Sequence, residues 1–78
     1  MTIHLVVLMI LSVSDTWTGD LLYKREQIFN FSVRGNLMQD CIETGVPEAK
    51  RLALQYRANG RPHASANVAC KWVSGSET

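Results

Sequence analysis

An apolar run near the amino end, Ile3–Val13, constrains this chain more than any other feature. Its eleven residues are too few to cross a bilayer, which needs about 20. They match the hydrophobic segment of a secretory signal, and Ser12 and Ser14 are the small side chains expected before a cut at Asp15. We therefore predict a signal peptide over residues 1–14 and no membrane span. The alternative is a buried strand, because a short apolar run fits either structure.

The remaining residues, 15–78, are enough for one small domain. A domain of about 60 residues buries only about 60% of its unfolded surface, so it is marginally stable without a crosslink. Cys41 and Cys70 can form one disulfide if the compartment is oxidising. With 28 residues between the two cysteines, that bond is worth roughly 3–4 kcal/mol in the chain-entropy model.

Charge and motif content argue against several classes of function. Eight basic and seven acidic residues give a net charge of +1, which provides no strong attraction to nucleic acid or to an anionic membrane. His63 is the only histidine after the predicted signal, and two cysteines with one histidine do not make a tetrahedral zinc site. No glycine-rich phosphate loop is present. We predict a protein that is not an enzyme and that has no metal or cofactor.

Two segments have the alternation of strands. Residues 28–33 alternate apolar and polar side chains, which predicts a strand with one solvated face. Residues 68–73 alternate in the same way before a polar tail. Between them, Asn36 and Gln39 resemble a helix-capping pair. The apolar residues that follow predict a short helix over about 37–44, ended by Gly45.

Residues 47–60 fit two incompatible structures. Pro47 suits the first turn of a helix, and four apolar residues follow the helical spacing: Ala49, Leu52, Ala53 and Tyr56. Alternatively, three apolar residues alternate as they would in a strand: Leu52, Leu54 and Tyr56. In that case Asn59-Gly60 is a hairpin turn, a role that this dipeptide strongly favours. Periodicity alone slightly favours the helix.

Several segments occur in an order that points to a known family. Trp17-Thr18-Gly19-Asp20 follows an acidic start, and the pattern from Tyr23 through Ile28 continues to Phe31 and Val33. Arg57-Ala58-Asn59-Gly60 then precedes Val68-Ala69-Cys70. In this order they resemble the start of the binding subunit of pertussis-like AB5 toxins, nearest to the B subunits of subtilase cytotoxin and typhoid toxin.

The resemblance implies a non-enzymatic bacterial protein that is secreted through the periplasm. It also implies an OB-fold-like barrel, assembled as a homopentamer, that binds sialic acid-containing glycans on host cells and docks a toxin catalytic subunit. It favours the hairpin at Asn59-Gly60. Because the chain ends about half-way through such a domain, we expect residues 15–78 to form a truncated, mainly β, partial barrel with a short helix. A small α+β domain is the alternative.

The resemblance also suggests site residues. The family's sugar-contacting serine follows the aromatic residue of the first strand, and this chain has Lys24 after Tyr23. We therefore expect Tyr23 and Lys24 to bind the glycan. Cys70 matches an Ala-Cys position of the family, whereas Cys41 lies earlier than the expected partner near Leu52. Whether Cys41 and Cys70 pair stays open at this point.

Two other classes of function compete with the toxin-like one. Lys24-Arg25 and Lys50-Arg51 resemble processing sites, which would suit a small secreted eukaryotic peptide or a prohormone-like precursor with one disulfide. An intracellular α-helical interaction protein with reduced thiols would instead keep residues 1–14 in the mature chain.

Overall fold

The computed structural model describes residues 2–77, which form a three-stranded antiparallel sheet and one helix. In chain order the elements are β1 (Thr2–Asp15), β2 (Leu21–Phe29), α1 (Leu37–Ala58) and β3 (Ala64–Glu77). The strand order in the sheet is β2-β1-β3. Met1, the first residue of the predicted signal peptide, and Thr78, the last residue of the predicted domain, lie outside the described residues.

The apolar run at the amino end forms the central strand of the sheet. β1 pairs with β3 along its whole length and with β2 from Val7 to Ser14. Its alternate side chains are fully buried against the helix: Val7, Met9, Leu11 and Val13. The segment that we predict as a signal peptide is therefore, in the folded chain, a buried strand.

The helix covers one face of the sheet, which we call the helix-side face. Cys41, Ala49 and Leu52 of α1 join the buried side chains of β1 in one core. On the opposite, open face, Leu8 and Ile10 of β1 are only partly buried, and Ile28 of β2 is 52% exposed. No element among residues 2–77 lies over that open face.

The expectation of a mainly β domain with a helix is confirmed, and the arrangement is a small α+β domain. The sheet is not closed into a barrel, because β2 and β3 lie on opposite sides of β1 and form its two edges. Closure would require these two strands to pair, either with each other or through further strands.

The amino end of α1 follows the sequence prediction. The Asn36 side chain accepts a hydrogen bond from the backbone N–H of Gln39 at 3.0 Å, and α1 begins at Leu37. This contact satisfies one of the free N–H groups of the first turn. The predicted capping pair is thus confirmed as an N-cap, although the Gln39 side chain bonds to Glu43 instead of turning back to Asn36.

The predicted end of this helix at Gly45 is wrong. α1 continues through Gly45 and Pro47 to Ala58, so the helical interpretation of residues 47–58 is confirmed and the Asn59-Gly60 hairpin is wrong. Burial of Ala49, Leu52 and Ala53 on one side of α1 stabilises this stretch as a helix. Asn59 and Gly60 end the helix instead, and Gly60 has a positive φ of 99°.

Gly45 is buried where α1 lies closest to the sheet. A Cβ atom at this position would lie 2.7 Å from Val68 Cγ1 and 3.0 Å from Met9 Sδ. The missing side chain is therefore what permits the close approach of helix and sheet. A glycine that ends helices in other sequences serves here as a packing residue within one.

We expect Gly45→Ala to lower the free energy of unfolding by about 1–2 kcal/mol, because it overpacks the contact with Val68. The loss should appear although alanine has the higher helix propensity by about 1 kcal/mol. Urea denaturation followed by circular dichroism measures it. Thr44→Ala, at the exposed neighbouring position, is the control and should be neutral or slightly stabilising. Adding Val68→Ala to Gly45→Ala should cost less than the sum of the single variants, and strict additivity would contradict the contact.

The two strands predicted from alternation have different limits in the structure. β2 ends at Phe29, so Phe31 and Val33 lie beyond it and are 76% and 90% exposed. The chain instead turns at Gly35, where φ is 77°, to reach the start of α1. The strand predicted over 68–73 is confirmed as the middle of the longer β3.

Cys41 and Cys70 form a disulfide, with a Cα–Cα distance of 6.2 Å. This separation lies within the usual range for the bond. Cys41 is fully buried in the second turn of α1, and Cys70 lies on the helix-side face of β3, opposite Met9 of β1. The disulfide therefore ties the helix to an edge strand.

Candidate functional site

A recess between β2 and α1 brings together two aromatic and two amide side chains. Its volume is about 360 Å³. Five residues line this recess, which we call the tyrosine pocket: Tyr23, Leu52, Gln55, Tyr56 and Asn59. Tyr23 pairs with Val13 and therefore points to the helix-side face, whereas the other four lie on or directly after α1.

The side chains of the tyrosine pocket are held in place by neighbouring groups. The Tyr56 hydroxyl donates a hydrogen bond to the Leu22 carbonyl at 3.3 Å, which links the helix to β2. Arg51 Nη1 donates to Gln55 Oε1 at 3.3 Å. The carboxamide of Gln55 keeps its own N–H₂ donors, and Tyr23 offers a ring and a hydroxyl. The pocket therefore combines apolar ring surface with neutral hydrogen-bonding groups.

Arg51 lies beside the tyrosine pocket but is engaged by the helix itself. Its guanidinium forms an ion pair with Glu48, one turn earlier on α1. The hydrogen bond with Glu48 is the main reason that the pKa of Arg51 is raised above its ordinary value, and Tyr23 makes a smaller contribution. The cation therefore reaches the pocket through its hydrogen bond to Gln55.

The structure places the two predicted glycan-binding residues on different faces of the sheet. Tyr23 faces the helix, and Lys24, which pairs with Ser12, faces the open side. Lys24 Nζ lies 3.8 Å from Glu26 Oε1, with both side chains about half exposed. Since β2 is an edge strand, the two residues share the edge but do not share one surface.

The connection between β1 and β2, which contains Trp17–Asp20, is organised by Asp15. Asp15 Oδ1 accepts hydrogen bonds from the backbone N–H groups of Trp17 at 2.9 Å and of Thr18 at 3.2 Å. Burial raises the pKa of Asp15, but the hydrogen bonds from Thr18, Trp17 and Arg61 outweigh it and hold that pKa below its ordinary value. The carboxylate therefore fixes the shape of this loop.

The same loop docks on the connection between α1 and β3. The rings of Trp17 and His63 stack with their centroids 5.1 Å apart and an angle of 21° between their planes. The backbone N–H and the hydroxyl of Thr16 both donate to the His63 carbonyl, each at 3.0 Å. His63 is thus a loop residue that packs on Trp17. The sulfur of Cys41 is bonded to that of Cys70.

A second and larger recess lies on the other side of α1, against β3. Its volume is about 510 Å³. We call it the β3 groove, and nine residues line it: Val46, Ala49, Lys50, Ala53, Leu54, Arg57, Ser65, Ala66 and Val68. Lys50 and Arg57 are its charged members. The helix therefore has the tyrosine pocket on one flank and a cationic, largely apolar groove on the other.

Other candidate features give no additional site. Among residues 2–77, no three histidine, cysteine, aspartate or glutamate side chains come close enough to hold a metal. Within the same residues, no helix has the length and hydrophobicity that crossing a membrane requires. Both dibasic pairs lie inside regular structure, Lys24-Arg25 in β2 and Lys50-Arg51 in α1.

Sequence reasoning identified Tyr23 but not the helical residues of the tyrosine pocket. Leu52 and Tyr56 are spaced by four residues, as are Gln55 and Asn59, so each pair lies on one side of a helix. That spacing was a usable signal once residues 47–58 were treated as helical. It could not show that this side of the helix meets Tyr23.

Comparison of the chain with protein-family models, with curated proteins and with solved structures finds no match.

Proposed function

We propose that this protein is a small, non-enzymatic, disulfide-stabilised binding module that recognises a glycan through the tyrosine pocket. The observation that carries the proposal is the meeting of Tyr23 and Tyr56 with Gln55 and Asn59 in one recess. Aromatic rings provide apolar surface for the C–H face of a sugar, and amide groups provide donors and acceptors for its hydroxyls. A pocket of mostly apolar lining with a few placed polar groups suits a small ligand.

Export of the protein is part of the proposal. The disulfide between Cys41 and Cys70 supports it, because such bonds persist mainly in oxidising compartments. The proposal keeps residues 2–15 in the folded protein, since they form its central strand.

The ligand class that we propose is a sialylated glycan, as the resemblance to the toxin subunits implies. Arg51, which donates a hydrogen bond to Gln55 of the pocket, supports an anionic sugar, although its ion pair with Glu48 competes for the guanidinium. In the same proposal the module assembles with further copies or with a catalytic subunit. The free edge of β2 supports that assembly, because its outer N–H and C=O groups can pair with another strand.

We expect Gln55→Ala to weaken binding of sialyllactose by about tenfold or more, because it removes a hydrogen-bonding group from the centre of the pocket. Tyr23→Ala should weaken it at least as much. Saturation-transfer NMR and titration calorimetry with sialyllactose, next to lactose as the uncharged probe, measure the effect. Gln55 is exposed, so its variant should fold normally.

Two variants serve as controls for this binding. Gln39→Ala makes the same substitution elsewhere on α1, and Lys24→Ala changes the open face behind Tyr23. Both should bind as the parent chain does. If Lys24→Ala abolishes binding while Gln55→Ala has no effect, the site lies on the open face and the tyrosine pocket is the wrong assignment. If neither sugar binds the parent chain, glycan recognition itself is refuted.

A further inference from the structure

The charged side chains that line the β3 groove are all positive. Among its nine lining residues are two cations, Lys50 and Arg57, and no acidic residue. Neither cation forms an ion pair with a carboxylate of the described side chains. Both are exposed, so the groove presents two positive charges that are available to a ligand.

The position of the two cations is defined by the helix. Lys50 and Arg57 are seven residues apart on α1, which places their Cα atoms about 10 Å apart along its axis. Arg57 Nε donates a hydrogen bond to the Ala64 carbonyl at 2.9 Å, and this bond holds the guanidinium at the start of β3. Its remaining N–H donors can bind a carboxylate.

Apart from the two cations and Ser65, the groove is lined by apolar side chains. Val46 and Leu54 are 38% and 64% exposed, so both present aliphatic surface to a ligand in the groove. Ala49 and Ala53 are small and leave room above Val68 of β3. A ligand for this groove would therefore combine apolar groups with negative charges.

The third wall of the groove is a strand with a free edge. β3 pairs with β1 on one side only, and no strand among residues 2–77 pairs with its other side. Along a strand, alternate N–H and C=O groups point to such an edge and can accept another strand. An extended peptide can therefore pair with β3 while its side chains occupy the groove.

A second copy of this chain is a poorer occupant than an acidic peptide. Pairing of β3 with β3 about a two-fold axis would bring two identical grooves together. The Lys50 and Arg57 side chains of both copies would then be concentrated at one interface, and like charges held close together destabilise it. Charge complementarity favours a partner that carries carboxylates.

We propose that the β3 groove binds an extended acidic peptide segment of a partner protein. The peptide adds as a strand to the outer edge of β3. Its apolar side chains pack on Val46 and Leu54, and its carboxylates pair with Lys50 and Arg57. This surface lies on the opposite flank of α1 from the tyrosine pocket, so the proposal stands independently of glycan recognition.

The test uses a fluorescein-labelled nonapeptide with glutamate and valine alternating at its odd positions and threonine at its even positions, so that both glutamate and valine lie on the face of the added strand that meets the groove. It is titrated with the full chain and followed by fluorescence anisotropy. We expect saturable binding that weakens as salt is raised, and about tenfold or greater weakening in Lys50→Glu. Lys71→Glu makes the same charge change on the open face and should bind as the parent chain does. The same peptide with lysine in place of each glutamate should not bind.

Strand addition is tested by methylating alternate backbone nitrogens of the same peptide, once in each of the two alternations. One of the two methylated peptides should lose binding, because its donors to β3 are blocked. Equal binding by Lys50→Glu and the parent chain would overturn the proposal, as would equal binding by both methylated peptides. Absence of binding up to millimolar peptide would also overturn it, and so would a peptide-insensitive dimer in sedimentation that Lys50→Glu leaves intact.

Discussion

A chain that begins at Asp15 should fail to fold cooperatively. Removal of residues 1–14 takes away the central strand and with it four fully buried side chains: Val7, Met9, Leu11 and Val13. Burying each such side chain contributes about 1.5–3 kcal/mol, so their sum matches the whole stability of a small domain, about 5–15 kcal/mol. β2 and β3 would also lose the only strand with which either pairs among residues 2–77. Thermal unfolding and the dispersion of amide NMR signals measure the effect.

A pair of substitutions in β1 tests whether its buried side chains, and not merely the presence of a charge in the strand, determine stability. Leu11→Asp places a charge in the core and should unfold the domain, whereas Ser12→Asp places the same charge on the open face, opposite Lys24. Ser12→Asp should melt cooperatively near the temperature of the parent chain. A cooperative melt of the chain from Asp15 would contradict the assignment of β1 to the core. Signal cleavage before Asp15 and this fold exclude each other.

Removing the disulfide should lower the free energy of unfolding by about 3–4 kcal/mol, through the greater freedom of the unfolded chain. The residues joined are 29 apart in sequence. With an m-value of about 1 kcal/mol per molar urea, the midpoint should fall by about 3–4 M. The measurement compares the oxidised chain, the reduced chain and the variant that combines Cys41→Ala with Cys70→Ala.

The double alanine variant is also the control for the reducing agent, because its urea midpoint should not change when the reducing agent is added. Reduction of the parent chain should bring its midpoint close to that of the variant, apart from the packing lost at the buried Cys41. An oxidised parent whose midpoint does not change on reduction would contradict a stabilising role for this bond.

Local signals in the sequence were reliable where neighbouring residues decide the structure. Asn36 caps a helix because its side chain reaches the N–H of Gln39, three residues away, and both groups are visible in the sequence. The strand around Cys70 was predicted from alternation, and alternation follows directly from strand geometry. The number of cysteines and the small size of the domain indicate that one disulfide is possible, and the structure shows that Cys41 and Cys70 form it.

Signals that depend on distant residues were misleading. Gly45 ends a helix in the sequence interpretation but lies within one in the structure, because Val68 and Met9 pack where its side chain would be. The apolar run over 3–13 predicts a signal peptide, with a buried strand as the alternative, because a short apolar run fits either structure. Only its pairing with β2 and β3 distinguishes them in the folded chain.

In the candidate site, too, local sequence signals and contacts between distant residues have to be distinguished. Both Tyr23 and Lys24 follow from the resemblance to the toxin subunits, in which the sugar-contacting serine comes directly after the aromatic residue of the first strand. Adjacent residues of a strand point to opposite faces, so the structure separates them. Gln55 and Tyr56 come close to Tyr23 only through the packing of α1 on the sheet, which no local pattern in the sequence encodes.

The strand order also determines when this domain can fold. β1 pairs with β3 from Thr2↔Glu77 to Asp15↔Ala64. β1 therefore cannot complete its pairing until β3, which lies much later in the chain, has been synthesised. Contacts so far apart in sequence slow folding, because a long loop must close before they form. Until β3 has been synthesised, the side of β1 that pairs with it is exposed in the nascent chain, which favours aggregation.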